Sequence, residues 1–180
     1  TEMKNLHMYG YGLKSMMLSM IETACRITGG KENLHCAEEI IRLGQELLQK
    51  PVTLLDGVED VLLQLQGKYK LVLATKGDLF DQKRKVMDSG LVRYFCHIEI
   101  MSDKKEADYQ KLLNTMGCAP QNFLMLGNSI KSDILPILNL GGYVAHIPYH
   151  ITWQYENHEG NVTHPNFLQL KNIKDIIGYL

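Results

Sequence analysis

The amino-acid sequence predicts an α/β fold in which a doubly wound parallel sheet follows an N-terminal helical segment. Two observations carry this prediction. Apolar residues in the first fifty positions recur every three or four residues, which is the period of an amphipathic helix. After Pro51, short apolar runs alternate with helical stretches, and such alternation is typical of a parallel sheet with helices on both faces.

The first fifty residues predict two helices and no strand. One helix is expected over residues 13–27, where Gly29 and Gly30 end it. A second is expected over residues 34–48, and Pro51 closes it because proline cannot continue a helix. We therefore expect residues 1–52 to be a helical segment and residues 53–180 to form the α/β core.

The core sequence predicts four strands. Each is a short apolar or alternating run bounded by Gly, Lys or Asn, and the runs are residues 71–75, 97–101, 122–126 and 143–147. Helices are expected between them and at the C-terminus, over about 58–65, 80–89, 107–116, from about 132, and 173–180. Pro136 suits the first turn of the helix near residue 132, where a missing N–H costs little.

The composition argues against a nucleic-acid-binding, membrane-spanning or secreted protein. The chain has 180 residues, of which 45% are apolar and 22% charged, and its net charge is −1. That charge supplies no excess of Lys and Arg for nucleic acid, and no apolar run approaches the roughly 20 residues of a membrane span. The first ten residues lack the apolar centre of a secretory signal. We therefore expect a cytoplasmic protein that binds neither nucleic acid nor membranes, and the sequence leaves its oligomeric state open.

The four cysteines predict no disulfide scaffold. They are spread over different predicted elements without a CxxC pair, at positions 25, 36, 96 and 118. A long chain with few cysteines is unlike the short, cysteine-dense secreted domains. We expect mostly buried free thiols in a reducing compartment.

Polar residues follow three of the predicted strands, in the segments 75–78, 102–105 and 127–133. In open parallel sheets, ligands bind beyond the carboxyl ends of the strands. Any one of these segments could be an ordinary solvated loop. Together, a hydroxyl, lysines, an amide and a carboxylate at neighbouring strand ends predict a site for a phosphate and a divalent cation.

Each group has a candidate role. The Thr75 hydroxyl, with the backbone N–H groups of Lys76 and Gly77, could hold phosphate oxygens, although Thr75 could also simply end a strand. Lys104 is the candidate for neutralising phosphate charge, with Lys105 as its rival.

A carboxylate and an amide in the third segment are candidates for the cation. Asp133 could bind Mg²⁺, which takes few protein oxygens and keeps several waters, or it could be a helix N-cap. Asn128 and Ser129 could add a carbonyl or hydroxyl oxygen near the same ion.

In this order the segments resemble motifs of the haloacid dehalogenase (HAD) superfamily of phosphohydrolases. The string LVLATKGD, with Thr75, resembles the second motif, and SDKKEADYQKLL, with Lys104 or less well Lys105, resembles the third. The string FLMLGNSIKSDILP resembles the fourth motif, in which Asp133 matches the second acid and Asn128 replaces the first. The resemblance covers about residues 56–156, and residues 1–52 resemble part of the helical cap of such enzymes.

The resemblance implies a Rossmann-like core and a Mg²⁺-dependent phosphatase acting on a small phosphorylated metabolite. Thr75 and Lys104 would be catalytic, holding the oxygens of the transferring phosphoryl group with Lys76 and Gly77. Mg²⁺ would be held by Asp133 and Asn128. A dehalogenase or a phosphotransferase on the same scaffold is a further alternative, but retained Asp133 and Lys104 favour phosphate chemistry.

One family motif is missing. In the family, Asp-x-Asp-x-Thr at the end of the central strand supplies the nucleophile and the general acid and base. No Asp-x-Asp occurs in the 180 residues. We expect the central strand and its nucleophilic Asp to lie upstream of this sequence. The alternative is a catalytically inactive relative or fragment that binds phosphate or regulates.

Overall fold

A computed structural model describes residues 1–30, 33–151, 153, 156, 158 and 160–180. Residues 152, 154 and 155, at the end of the region that resembles the family, therefore lie outside the described residues. The chain forms two compact units, each assembled from two separate stretches. The first comprises Thr1–Leu54 and Val72–Ser102, and the second comprises Leu55–Leu71 and Asp103–Leu180.

Every strand pairing within the two sheets is parallel, which confirms the predicted α/β class. The helices and strands, in chain order, are α1 (Glu2–Tyr9), α2 (Leu13–Thr28), α3 (Asn33–Gln49), α4 (Val58–Leu65), β1 (Val72–Lys76), α5 (Leu79–Asp88), β2 (His97–Met101), α6 (Glu106–Met116), β3 (Leu124–Gly127), α7 (Leu135–Asn139), β4 (Tyr143–His146) and β5 (Phe167–Gln169).

The first unit contains α1, α2, α3, the pair β1–β2 and α5. The two strands pair in register from Val72 opposite His97 to Lys76 opposite Met101. Helix α2 buries Ser15 and Ser19, spaced by one helical turn, rather than its larger apolar residues. Asn5 of α1 is buried against this polar stripe and donates a hydrogen bond to the Ser19 hydroxyl at 3.1 Å.

The second unit is built on the sheet β3–β4–β5. Its core joins α4, β4 and the C-terminal segment through Val61, Leu65, Ala145, Leu170 and Ile176. The apolar runs of α4 and the strands therefore meet here, as their burial in a parallel sheet requires.

Most predicted elements are confirmed within two residues, and β2 has the predicted bounds. The helix predicted from about residue 132 instead begins with a wide π-helical turn, Ile130–Ile134, which precedes α7 with Pro136 in its first turn. The C-terminal helix is a 3-10 helix, Ile173–Tyr179. Helix α1 and strand β5 were not predicted. The boundary between residues 52 and 53 stays a prediction.

The expectation of mostly buried thiols is wrong. Cys25, Cys36 and Cys96 are exposed, Cys118 is half-buried, and all four are free. On α2 the buried stripe follows Ser15 and Ser19, and Cys25, six residues beyond Ser19, falls on another face. Within the described part of the chain, no helix combines the length and the apolar character that crossing a bilayer demands.

Candidate functional site

An ion pair between Lys104 and Asp133 is the centre of the candidate site in the second unit. The Lys104 Nζ atom lies 2.7 Å from Asp133 Oδ1, and the two side chains are only 11% and 6% exposed. Lys104 is two residues before α6, and Asp133 lies in the π-helical turn after β3. A charge so buried requires a partner, because its desolvation is otherwise uncompensated.

The Asp133 carboxylate is held by the backbone as well. Its Oδ2 atom accepts a hydrogen bond from the Ser129 N–H at 3.1 Å. The wide turn makes this contact possible, since the N–H groups of both Asp133 and Ile134 donate to the Ser129 carbonyl, at 2.8 and 3.2 Å. Turns of this π type are found often at functional sites.

Tyr109 of α6 supports the same turn from the core. Its side chain is fully buried, and its hydroxyl donates to the Ser132 carbonyl at 3.0 Å and approaches Asp133 Oδ1 at 3.5 Å. Burial raises the pKa of the Tyr109 hydroxyl far above its usual value, and the neighbouring Asp133 charge raises it further. Tyr109 therefore stays a protonated donor.

The two candidate lysines differ in environment. Lys105 is 73% exposed and pairs with Asp103 at 2.9 Å, whereas Lys104 is buried against Asp133. An exposed ion pair is screened by water, so a charge at Lys105 acts weakly on a bound ligand. The geometry therefore favours Lys104 for a phosphate contact.

Asn128 lies just before the wide turn, and its carbonyl accepts a hydrogen bond from His146 Nε2 at 3.1 Å. The Asp133 carboxylate and the Asn128 side-chain amide are hard oxygen donors of the kind Mg²⁺ takes. Among the described residues, no group of three or more His, Cys, Asp or Glu side chains could hold a metal. The donors thus fit Mg²⁺ in kind, with most of its ligands left to water and substrate oxygens.

The remaining predicted residues lie in the first unit, at the end of β1. The Thr75 hydroxyl donates to Gln82 Oε1 at 2.8 Å. The Gly77 N–H, a candidate phosphate donor, makes a 3.3 Å hydrogen bond to the Met101 carbonyl. The Lys76 ammonium lies 4.2 Å from the centre of the Tyr11 ring. These groups are close to one another in the chain, but each has a partner within the protein.

The turn between α1 and α2 lies directly against this loop. Lys14 Nζ is 3.1 Å from both carboxylate oxygens of Asp78, and a Cβ on Gly12 would lie 3.2 Å from the Asp78 nitrogen. Asp78 is the N-cap of α5, and its side chain accepts a hydrogen bond from the Asp81 N–H. That bond, followed by the bond from Lys14, lowers the pKa of Asp78 below its usual value.

The structure brings Lys104 and Asp133 together and places Asn128 just before the same turn. It also adds polar residues that sequence reasoning missed, namely Gln82, Tyr109, Ser132 and Glu156. Tyr109 falls in a predicted helix, where an aromatic residue indicates core packing. No local sequence pattern around Glu156 indicates its contact with Ser132, which lies 24 residues earlier in the chain.

Comparison with known proteins identifies the family. The model of haloacid dehalogenase-like hydrolases matches residues 20–141, more than half of the chain. The chain belongs to this family of hydrolases. This membership agrees with the resemblance in the sequence motifs and with the parallel α/β architecture.

Several relatives refine the comparison. A haloacid dehalogenase-like family hydrolase from Xanthomonas campestris is 34% identical and superposes with a TM-score of 0.85, covering 95% of this chain and 68% of that one. The N-acylneuraminate-9-phosphatase of Mus musculus is 28% identical over 141 residues, which are 75% of this chain and 57% of that enzyme. The chain thus spans little more than half of this curated relative. A predicted phosphoglycolate phosphatase from Haemophilus somnus shares the fold, with a TM-score of 0.66 at 16% identity, covering 96% of this chain and 78% of that one.

Proposed function

We propose that this HAD-family hydrolase acts on phosphate esters, with a small phosphorylated metabolite as substrate. The buried ion pair of Lys104 with Asp133 carries the proposal. Burying a lysine is costly unless a carboxylate pairs with it, and an ammonium at this position offers a point charge to a phosphate. The similarity to a phosphatase from Mus musculus supports the same chemistry.

The roles proposed for the phosphate contacts follow from the environments of the side chains. In the second unit, Lys104 would neutralise the charge that phosphoryl oxygens carry. In the first unit, the motif resemblance assigns the Thr75 hydroxyl as a phosphate donor. The backbone N–H groups of Lys76 and Gly77 would contribute less, because the Gly77 N–H already donates to the Met101 carbonyl.

Mg²⁺ is proposed as the cofactor, held by Asp133 and Asn128. When bound, the ion would shield the charge of the transferring phosphoryl group. An amide at position 128, where the family has a carboxylate, removes one negative charge, so we expect weaker binding of the cation. An N128D variant should bind Mg²⁺ more tightly, and unchanged Mg²⁺ affinity in calorimetry would contradict the assignment of Asn128.

The nucleophilic Asp is proposed to lie outside these 180 residues, which contain no Asp-x-Asp. The amide at Asn128, where the family has a carboxylate, favours a second function, a relative that binds phosphate without hydrolysing it. The four free cysteines accord with the reducing cytoplasm that we propose as its location.

The test measures binding and turnover separately. The protein is titrated with inorganic phosphate in the presence of Mg²⁺ by calorimetry, and phosphate release is followed with p-nitrophenyl phosphate and a panel of sugar phosphates. Binding that is lost in K104M but kept in K105M supports the phosphate site. Turnover by the protein together with any segment that supplies the proposed nucleophile then identifies a phosphatase, and binding without turnover under that condition identifies the second function. Phosphate binding that persists in K104M excludes the site.

A further inference from the structure

The carboxylate of Glu156 contacts the turn that carries Asp133. Its Oε2 atom accepts hydrogen bonds from the hydroxyls of Ser129 and Ser132, both at 2.5 Å. The two serines are 7% and 6% exposed, and Glu156 is half-buried. Buried hydroxyl donors need an acceptor, and one carboxylate oxygen serves both.

Ser129 joins this carboxylate to the candidate site. Its hydroxyl donates to Glu156 and accepts from the Ser132 N–H at 3.0 Å, while its own N–H donates to Asp133 Oδ2 at 3.1 Å. A rotation of Ser129 would therefore disturb both carboxylates at once. Networks in which each polar group has a partner restrict a turn to one conformation.

We propose that Glu156 is a positioning residue for Asp133, a role that rests on the proposed function of the Lys104–Asp133 pair. By accepting from both serine hydroxyls, Glu156 fixes the π-helical turn. The Ser129 N–H is then held on one oxygen of Asp133, and the other oxygen faces Lys104. Glu156 acts through these serines and itself touches neither phosphate nor cation.

The substitution E156Q separates hydrogen bonding from charge. A glutamine keeps a carbonyl oxygen that can accept from both hydroxyls, whereas E156A removes the acceptor. We expect E156A to speed amide exchange at Ser129 and Ser132 on the order of tenfold, the effect of losing one or two hydrogen bonds. E156Q should stay near the rate of the unaltered protein. The buried amide of Val144 and the variant E38A, at an exposed glutamate of α3, are the controls.

A second measurement reads the site itself. The Mg²⁺ concentration needed for half-maximal phosphate binding should rise about tenfold in E156A and less in S132A, which loses one of the two hydroxyl contacts. E156Q should restore the affinity of the unaltered protein. Recovery by the amide is an outcome that general destabilisation would not produce.

The outcomes separate this inference from the proposed function. Unchanged exchange at Ser129 and Ser132 in E156A would overturn it, as would E156Q behaving like E156A or faster exchange at Val144 as well. If the unaltered protein binds neither phosphate nor Mg²⁺, the proposed function fails. Localised faster exchange in E156A would then still establish that Glu156 orders the turn.

Discussion

The side chain of Asp133 occupies the space that a Cβ atom on Gly127 would fill. A Cβ built at Gly127 would lie 2.3 Å from Asp133 Oδ2 and 2.4 Å from its Cβ and Cγ atoms. Real Cβ atoms do not approach neighbours this closely. Because the Asp133 carboxylate packs directly over the end of β3, only a glycine fits at position 127.

We expect the variant G127A to push Asp133 away from Lys104. Overpacking of this kind costs about 1–3 kcal/mol in the free energy of unfolding, which urea denaturation measures. G178A is the matched control, because a Cβ there meets no atom within 4 Å. Equal stability of G127A and G178A would contradict the close packing of Gly127 and Asp133.

The buried pair should be much more sensitive to substitution than the exposed one beside it. K104M leaves the Asp133 carboxylate without its ammonium, and we expect a loss of about 3 kcal/mol in the free energy of unfolding. K105M removes a partner of Asp103 at an exposed site, and the expected change is within about 0.5 kcal/mol. Urea denaturation of both variants gives the comparison.

The double variant K104M/D133N tests whether the two side chains act as a pair. Since each single substitution leaves one buried charge alone, the double should be more stable than the sum of the singles predicts, by at least about 1 kcal/mol. Additive losses would show that Lys104 and Asp133 are stabilised independently.

Removing the Tyr109 hydroxyl should weaken the turn without opening a large cavity. In Y109F the Ser132 carbonyl loses its donor, and we expect the free energy of unfolding to fall by about 1–2 kcal/mol. Y143F, at a side chain 48% exposed, should change it by less than about 0.5 kcal/mol. Thermal or urea unfolding of the two variants checks the difference.

The Asp78 carboxyl should contribute stability that depends on pH. Its pKa is lowered in the folded protein, so its contribution is present above the ordinary value of 3.8 and is lost as the pH falls through the lower folded value. The variant D78N keeps a helix cap but loses the charge that faces Lys14. We expect D78N to be less stable by about 0.5–1 kcal/mol at pH 7.

The difference between D78N and the unaltered protein should shrink as the pH falls below 3.8 and disappear below the lowered folded pKa of Asp78, where Asp78 is neutral as well. Urea unfolding at several pH values between 7 and 2.5 measures it. A difference that persists at the lowest pH would show that Asp78 acts as a neutral cap.

Local patterns accounted for most of the fold, because apolar periodicity and turn residues act over a few positions. They located β2, α6 and the residues Lys104 and Asp133, each of which sits beside a strand end. At the wide turn Ile130–Ile134 the sequence predicts the start of an ordinary helix, because both structures place apolar residues three to five positions apart.

Contacts between distant residues could not be predicted. Serines such as Ser129 and Ser132 are common in solvated turns, so their presence does not indicate a buried contact. Their acceptor, Glu156, is 27 and 24 residues away in the chain. The exposure of Cys25 had a similar cause. The buried face of α2 is selected by the close contact of Asn5 with Ser19, which apolar periodicity does not encode.

The two units are interleaved along the chain, and this arrangement constrains how the protein is made. Helix α4 emerges from the ribosome well before Ile176, which covers its apolar face together with Ala145. Likewise, Lys174, the ion-pair partner of Asp56, is synthesised 118 residues after it. The nascent chain therefore carries an uncovered apolar helix until the C-terminal part of the second unit is synthesised, which makes it a natural client for a chaperone.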